Sequence, residues 1–191
     1  MLGIIIDNNL SWTPHVNALC KKVSTKVFQL SRLKHFVNFR TRKLFFTSHI
    51  QSLIDYGSTI WDSTCKNTLK PLHSLHRRAL KLILLKQSSL EKDDYNLLNI
   101  LPLHTRLTYN KGTYMKKIMS DNAPPSLRTL FPINTTRDRI KINIPTPRID
   151  LFKTSLAFSG ASLWNSLPLS LKAQSSHLFP KRYLSYLTSL P

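Results

Sequence analysis

The early part of the chain places apolar and polar residues with the spacing of an α-helix. From Val16 to Leu33 an apolar side chain recurs every three or four residues, and polar or basic residues occupy most of the intervening positions. The recurring residues are Val16, Leu19, Val23, Val27, Leu30 and Leu33. This spacing puts them on one face and predicts an amphipathic helix ending near Phe36. Ser11 is the predicted N-cap, with Pro14 accommodated in the first turn.

The same periodicity predicts three further helices along the chain. They span about Phe39–Tyr56, Leu69–Leu85 and Leu103–Ser120. Gly57 follows the second helix, as a glycine at a helix C-terminus commonly does. Gly112 lies inside the fourth helix and weakens it. The buried positions predicted for the second helix are Leu44, Phe45, Ile50, Leu53 and Ile54. Those predicted for the third are Leu72, Leu75, Ala79, Leu82 and Ile83.

The two ends of the chain depart from this helical pattern. Ile4, Ile5 and Ile6 are β-branched residues that follow a glycine, which predicts one short strand. From Pro124 onward, prolines interrupt the helical periodicity and predict a loop-rich tail with both short helices and extended segments. We therefore expect a mainly α fold: a helical bundle preceded by a short β strand and followed by an α/β tail. The predicted domains are residues 1–10, 11–121 and 122–191.

The charge of the chain indicates the class of its partner. The formal net charge is +19, from 28 Lys and Arg against 9 Asp and Glu. Such a chain attracts polyanions, and nucleic acid is the partner that this charge favours. A membrane surface is the rival polyanion, but no apolar run approaches ~20 residues, so we expect no membrane partner. The N-terminus lacks the pattern of a secretory signal, which predicts an intracellular protein that is not secreted.

Candidate catalytic and metal-binding residues are few. The adjacent carboxylates Asp93 and Asp94 lie where acidic residues favour a helix start, and they are interpreted as such rather than as a metal site. Cys65, His73 and His76 have part of a zinc-site spacing but lack a fourth ligand. We therefore expect no metal, no cofactor and no catalytic residue. Three tryptophans stand beside apolar neighbours at predicted helix boundaries, where packing is favoured over base stacking.

Several short phrases occur in a characteristic order along nearly the whole chain. They are Leu2-Gly3-Ile4-Ile5-Ile6-Asp7, Leu10-Ser11-Trp12-Thr13-Pro14-His15-Val16, Ile54-Asp55-Tyr56-Gly57, Ile60-Trp61, Leu75-His76-Arg77-Arg78-Ala79-Leu80-Lys81-Leu82-Ile83 and Leu163-Trp164-Asn165-Ser166-Leu167-Pro168. This order resembles the C-terminal part of reverse transcriptases from non-LTR (LINE-type) retrotransposons, especially jockey-like elements. The resemblance implies a remnant of the primer-grip hairpin over residues 1–10, with Leu2 and Gly3 at its grip position. It also implies a helical thumb-like domain over residues 11–121 and a post-thumb tail beyond it.

The resemblance also implies what such a chain does. The catalytic aspartates of the family's Tyr-Xaa-Asp-Asp motif are absent, and the palm that carries them would lie upstream of Met1. The expected function is primer-template binding by a thumb fragment, with RNA or DNA and a complete reverse transcriptase as its partners and the nucleus as its place of action. The candidate nucleic-acid contacts are Lys21, Lys22, Lys26, Arg32, Arg77, Arg78 and Lys81. The alternatives are a basic helical interaction protein and an inert product of a decayed retrotransposon.

Overall fold

The fold is mainly α, as the sequence predicts. The computed structural model describes residues 3–120, 123–136, 139–144, 146 and 150–189. The first elements are α1 (Thr13–Leu33), α2 (Phe39–Phe45), a π-helical turn (Phe46–Gln51), α3 (Ser52–Asp55), α4 (Ser58–Trp61), α5 (Lys66–Leu84), α6 (Lys92–Leu98) and α7 (Leu103–Met119). The later elements are α8 (Pro125–Arg128), β1 (Ile133–Thr136), β2 (Arg139–Ile142), α9 (Asp150–Lys153), α10 (Leu156–Ser166), α11 (Leu169–Lys172) and α12 (Phe179–Ser189).

The chain forms two compact units, Met1–His104 and Thr105–Pro191. The division falls inside α7, whereas the sequence places the domain boundary between residues 121 and 122. The physical reason is that the later turns of α7 contribute Met115 and Ile118 to the core of the second unit. Prolines end a helix, but they do not decide which core that helix packs into.

The core of the first unit is built mainly where α1 and α5 pack against each other. The apolar stripe predicted for α1 is confirmed, and only Leu33 at its end is 41% exposed. Helix α5 begins at Lys66, three residues before its predicted start, and its stripe follows the same spacing of three and four. The buried residues of α5 are Leu69, Leu72, His76, Ala79, Leu80 and Ile83. Leu75 and Leu82, which were predicted to be buried, flank this stripe and are half-buried.

The second predicted helix contains a π-helical turn, and the side chains that face the core differ in part from the prediction. Helical structure runs without a break over residues 39–55. Ile50 and Ile54 are fully buried as predicted, but Leu44 is 64% exposed, and Phe46 is buried in its place. Phe46, Ile50 and Ile54 stand four residues apart and share one face of the helix, whereas Leu44 lies six residues before Ile50 on another face. The prediction for Leu44 is wrong for this reason.

Helices α7, α10, α11 and α12 supply most of the core of the second unit. Its buried residues are Met115, Ile118, Phe131, Ile142, Ala161, Trp164, Leu167, Leu171, Phe179 and Tyr183. Tyr183 of α12 is fully buried and packs directly against the backbone of α7. A Cβ atom at Gly112 would lie 2.3 Å from Cε1 of Tyr183. Gly112 thus creates the space that the tyrosine ring occupies, although it lowers the helix propensity of α7.

A short hairpin of β1 and β2 contributes to the same core. The strands pair antiparallel with Ile133 opposite Ile142, and the side chain of Ile142 is buried. Extended segments were predicted in this tail from the sequence, and the hairpin is one of them. The side-chain amide of Asn165 in α10 holds β2 in place: Oδ1 accepts the Ile142 N–H at 2.9 Å, and Nδ2 donates to the Ile142 carbonyl at 2.9 Å. One side chain thereby satisfies both backbone groups of a buried residue.

The short strand predicted for Ile4–Ile6 does not form, because these residues lie outside any helix or strand. The backbone N–H of Ile5 donates to Nδ1 of His15 at 3.3 Å. This opening segment therefore bonds to α1 through a side chain and has no strand partner among the described residues. Leu2 lies outside the described residues, and Gly3 has a positive φ of 74°.

Candidate nucleic-acid interface

The opening phrase of the sequence forms a turn, held by Asp7, directly before α1. The carboxylate of Asp7 accepts the N–H groups of Ser11 at 3.0 Å and Trp12 at 2.9 Å. These backbone bonds, that of Ser11 first, lower the pKa of Asp7. Trp12, with a left-handed backbone (φ 60°), is the N-cap residue instead of the predicted Ser11. Because Asp7 is the residue that accepts these bonds, it fixes the path by which the opening segment enters the helix.

The Tyr-Gly and Trp phrases join α3, α4 and α1 within the first unit. Gly57 adopts a left-handed backbone (φ 60°) directly after α3, as the sequence predicts. Trp61 is fully buried, its Nε1–H donates to the Tyr56 carbonyl at 3.3 Å, and its ring lies 6.0 Å from that of His15. Packing is therefore the confirmed role of Trp61. Trp164 in the second unit is likewise buried, at 6.0 Å from the Phe179 ring.

A cavity lies beside the opening segment in the first unit. Its volume is about 230 Å³. The lining residues are Gly3, Ile5, His15, Ala18, Leu19, Lys22, Ser52, Leu53 and Tyr56. Burial and the positive charge of Lys22 lower the pKa of His15. Gly3, the described member of the predicted primer-grip remnant, thus lies next to an open space with one cation at its edge.

The four basic residues predicted on α1 do not share one side of the helix. An α-helix turns by about 100° per residue. Lys22 and Lys26, one turn apart, therefore lie on one flank of the buried stripe, and Lys26 is half-buried. Lys21 and Arg32, about three turns apart, lie on the side opposite that stripe, and both are exposed. The helix therefore offers two pairs of cations that point in different directions.

Helix α5 aligns its cations along one exposed side. Four of them stand at spacings of four, seven and four residues, which returns each to nearly the same angle around the helix. We call this set the α5 basic stripe: Lys66, Lys70, Arg77 and Lys81. It extends over about 22 Å at 1.5 Å per residue. Its members are exposed except Lys81, which is half-buried and lies 3.4 Å from the Gln87 carbonyl. Arg78, also exposed, faces directly away from the core.

The sequence prediction named Arg77, Arg78 and Lys81 but not the first half of this stripe. Lys66 lies before the predicted start of the helix at Leu69, and Lys70 is not among the predicted contacts. The spacing of four, seven and four was readable in the sequence. It becomes informative once α5 is known to begin at Lys66.

The carboxylate pair Asp93–Asp94 lies in the first turn of α6. Oδ2 of Asp94 accepts the N–H of Glu91 at 2.8 Å and binds Nζ of Lys86 at 2.7 Å. These two contacts lower the pKa of Asp94, and the same ion pair raises the pKa of Lys86. The geometry matches the interpretation of the pair as a helix start, because the Asp94 carboxylate accepts the N–H of Glu91, the N-cap residue of α6.

The histidines and cysteines named in the zinc hypothesis occupy different environments. Cys65 is exposed, His73 is half-buried and His76 is fully buried, with its ring 5.5 Å from that of Phe46. Burial, followed by the positive charges of His104 and Arg77, lowers the pKa of His73. Among the described residues, no group of three or more His, Cys, Asp or Glu is placed to hold a metal ion.

Comparison with known proteins identifies no relative of this chain. The chain matches no family model, no curated protein and no solved structure. In the part of the chain that the structure describes, no helix is both long and apolar enough to cross a bilayer. The resemblance to non-LTR reverse transcriptases therefore rests on the phrases of the sequence alone.

Proposed function

We propose that this protein binds a primed nucleic-acid duplex as a thumb-like element of non-LTR reverse transcriptase ancestry, without polymerase chemistry of its own. The observation that carries the proposal is the α5 basic stripe, which lines one exposed side of a helix whose other side is packed against α1. Arg77 and Arg78 add guanidinium groups, which bind phosphate through two parallel hydrogen bonds. A rigid row of cations can follow a phosphate backbone without reading base sequence.

Lys21 and Arg32 of α1 belong to the proposed surface only as secondary contacts. They lie on the side of α1 that faces away from the core and therefore do not join the flank occupied by Lys22 and Lys26. A duplex bound along α5 meets one row of cations there and at most one pair on α1. The stripe is therefore the part of the surface whose loss should weaken binding most.

The test compares two triple variants that lose the same charge. The first replaces Arg77, Arg78 and Lys81 with Gln; the control replaces the exposed Lys117, Lys181 and Arg182 of the second unit with Gln. Each lost phosphate contact should lower the log–log salt slope of binding by ~0.9 on B-form DNA. We expect the first triple to reduce the slope by about 2–3 and the control to change it much less.

The structure of the ligand distinguishes the proposal from attraction to any polyanion. A primed RNA–DNA hybrid should bind more tightly than an unprimed duplex of the same length, since a thumb follows the groove shape near a primer end. Equal losses in the two triple variants, without a preference for the primed substrate, would contradict the proposed function. That result would favour the basic interaction protein.

The absence of polymerase chemistry is tested separately. The purified protein should incorporate no nucleotide on a primed RNA template with Mg²⁺ or Mn²⁺. Polymerases use paired carboxylates to hold two metal ions, whereas Asp94 is engaged with Lys86 and the start of α6. Template-dependent incorporation that disappears on changing Asp93 and Asp94 to Asn would overturn this part of the proposal.

A further inference from the structure

Large aromatic side chains are exposed around the connection between α1 and α2. Phe36 is 86% exposed and Phe39, the first residue of α2, is 40% exposed. Phe28, one turn before Arg32 on the outer side of α1, is 61% exposed. Single exposed apolar residues are ordinary, but neighbouring ones mark a surface that binds a partner. None of these rings is used by the α5 basic stripe.

The connection that carries Phe36 is fixed by a buried arginine. Arg42 is 8% exposed, and its Nη1 donates to the carbonyls of Lys34 at 2.9 Å and Val37 at 2.7 Å. Its Nε donates to the Ile83 carbonyl in the last turn of α5 at 3.0 Å. Phe36 lies between the two clamped carbonyls of the connection. Phe36 is therefore exposed on a turn whose backbone is already fixed, and ordering that backbone on binding costs little conformational entropy.

The first turn of α2 is fixed as well. Oδ1 of Asn38 accepts the N–H of Thr41 at 2.9 Å, which caps the helix that begins with Phe39. The cap and the arginine clamp together set the backbone on both sides of Phe36. The two rings, three residues apart, are therefore presented on one preorganised turn.

The surroundings of these rings are basic. Residues 8–54 contain eight Lys and Arg and no Asp or Glu. Arg32 and Arg40, which flank the turn in sequence, are exposed. Aromatic rings in a stretch of chain that carries cations and no acidic residue are the combination that binds single-stranded nucleic acid, where bases stack on rings and phosphates meet cations.

We infer that Phe36 and Phe39 stack on unpaired bases of a single-stranded segment, with Arg32 and Arg40 binding its phosphates. The inference rests on the proposed function and adds the single-stranded part of its ligand, such as a template overhang. A second copy of the chain is disfavoured as occupant, because a molecule of charge +19 repels its copies. A lipid surface is disfavoured because an interfacial anchor uses the long apolar face of a helix, and that face of α1 is buried in the core.

The test uses two oligonucleotides with the same number of phosphates, one carrying bases and one abasic. Wild-type protein should bind the base-bearing strand about tenfold more tightly, in the range of stacking on aromatic side chains. The double variant Phe36→Leu and Phe39→Leu should lose this preference and keep its affinity for the abasic strand. Phe36→Trp should retain the preference, because Trp also stacks. 2-Aminopurine in the base-bearing strand should be quenched by wild type and much less by the double variant.

The matched control is Tyr56→Leu. Tyr56 is 51% exposed, and it lines the cavity with His15 and Lys22, near the opposite end of α1. This control should keep the wild-type preference for bases. Equal binding of the two strands by wild type, or a preference that survives in the double variant, would overturn the inference. Binding to phosphatidylserine vesicles that the double variant loses, without any base preference, would also overturn it and assign the rings to a lipid surface.

The experiments on the stacking site and on the proposed function can give opposite results. The Arg77, Arg78 and Lys81 variant tests duplex binding, whereas the Phe36 and Phe39 variant tests the difference between base-bearing and abasic strands. A base preference that depends on the two rings, together with unchanged duplex binding by the α5 triple variant, would sustain the stacking site and contradict the duplex-binding proposal. Loss of duplex binding in the triple variant without any base preference would do the reverse.

Discussion

Replacing Gly112 with Ala should destabilise the second unit, although the same change stabilises most helices. In the interior of an exposed helix, Ala is favoured over Gly by about 1 kcal/mol. In α7 the added methyl group would lie 2.3 Å from Cε1, 2.6 Å from Cζ and 2.7 Å from Oη of Tyr183. These distances are far below van der Waals contact, so either the ring or the helix must move.

The ring of Tyr183 has little room to move. It is fully buried, with the Phe179 ring at 5.2 Å, the Tyr109 ring at 6.0 Å and the Tyr186 ring at 6.5 Å. Its hydroxyl donates to the Thr108 carbonyl at 3.3 Å. Overpacking of a core costs about 1–3 kcal/mol, and contacts this short belong at the upper end. Subtracting the propensity gain of about 1 kcal/mol leaves an expected net loss of about 2 kcal/mol.

A double-mutant cycle identifies the clash as the cause. Tyr183→Leu removes the Cε1, Cζ and Oη atoms, and in that background Gly112→Ala should stabilise the unit by ~0.5–1 kcal/mol. Urea unfolding followed by the ¹⁹F signal of 5-fluorotryptophan at Trp164 reports on the second unit, because Trp164 is 4% exposed in its core. A raised urea midpoint for Gly112→Ala alone, or the same effect in both backgrounds, would refute this account of α7.

Three further predictions follow from side chains that each stabilise one unit through contacts within that unit. Asn165→Ala should destabilise the second unit by about 1–3 kcal/mol, since it leaves the N–H and carbonyl of Ile142 unpaired; the Trp164 signal measures this, and an unchanged urea midpoint would contradict it. Arg42→Lys should cost the first unit about 2–3 kcal/mol, because one ammonium cannot replace a guanidinium that donates to three carbonyls; the ¹⁹F signal of Trp61 measures it, and a loss below about 0.5 kcal/mol would argue against the clamp. The folded-state pKa of His15 is lowered from its ordinary 6.5. Between the folded and unfolded pKa values, the unfolded chain therefore binds a proton that the folded chain does not. The contribution of His15 to the free energy of unfolding is complete above pH 6.5 and decreases as the pH drops from there toward the folded pKa. His15→Gln should flatten that part of the urea midpoint against pH, and an equally steep profile would exclude His15 as a contributor.

The hydrophobic pattern of the sequence determined which segments of this protein are helical and, for the two longest helices of the first unit, which side they bury. Helices α1 and α5 follow a uniform 3.6-residue period, so the positions of their apolar residues define the face that must leave water. The cations of α5 then have to occupy the opposite side, and Arg77 and Arg78 were predicted there from the sequence. Local chemistry also located the C-terminal end of the second predicted helix at Gly57 and the start of α6 at Asp93 and Asp94.

Contacts between residues distant in sequence decided the rest. The π-helical turn at Phe46–Gln51 was not predicted, because the apolar pattern of the second helix contains no signal for an added residue in a turn. No strand forms at Ile4–Ile6; instead the backbone N–H of Ile5 donates to Nδ1 of His15. Strand propensity alone cannot reveal such a partner. In the sequence, Phe36 looks like one more apolar residue at the end of the first predicted helix. Only the folded structure places it outside the core, on a turn held by an arginine, because burial depends on what packs around a residue as well as on its own hydrophobicity.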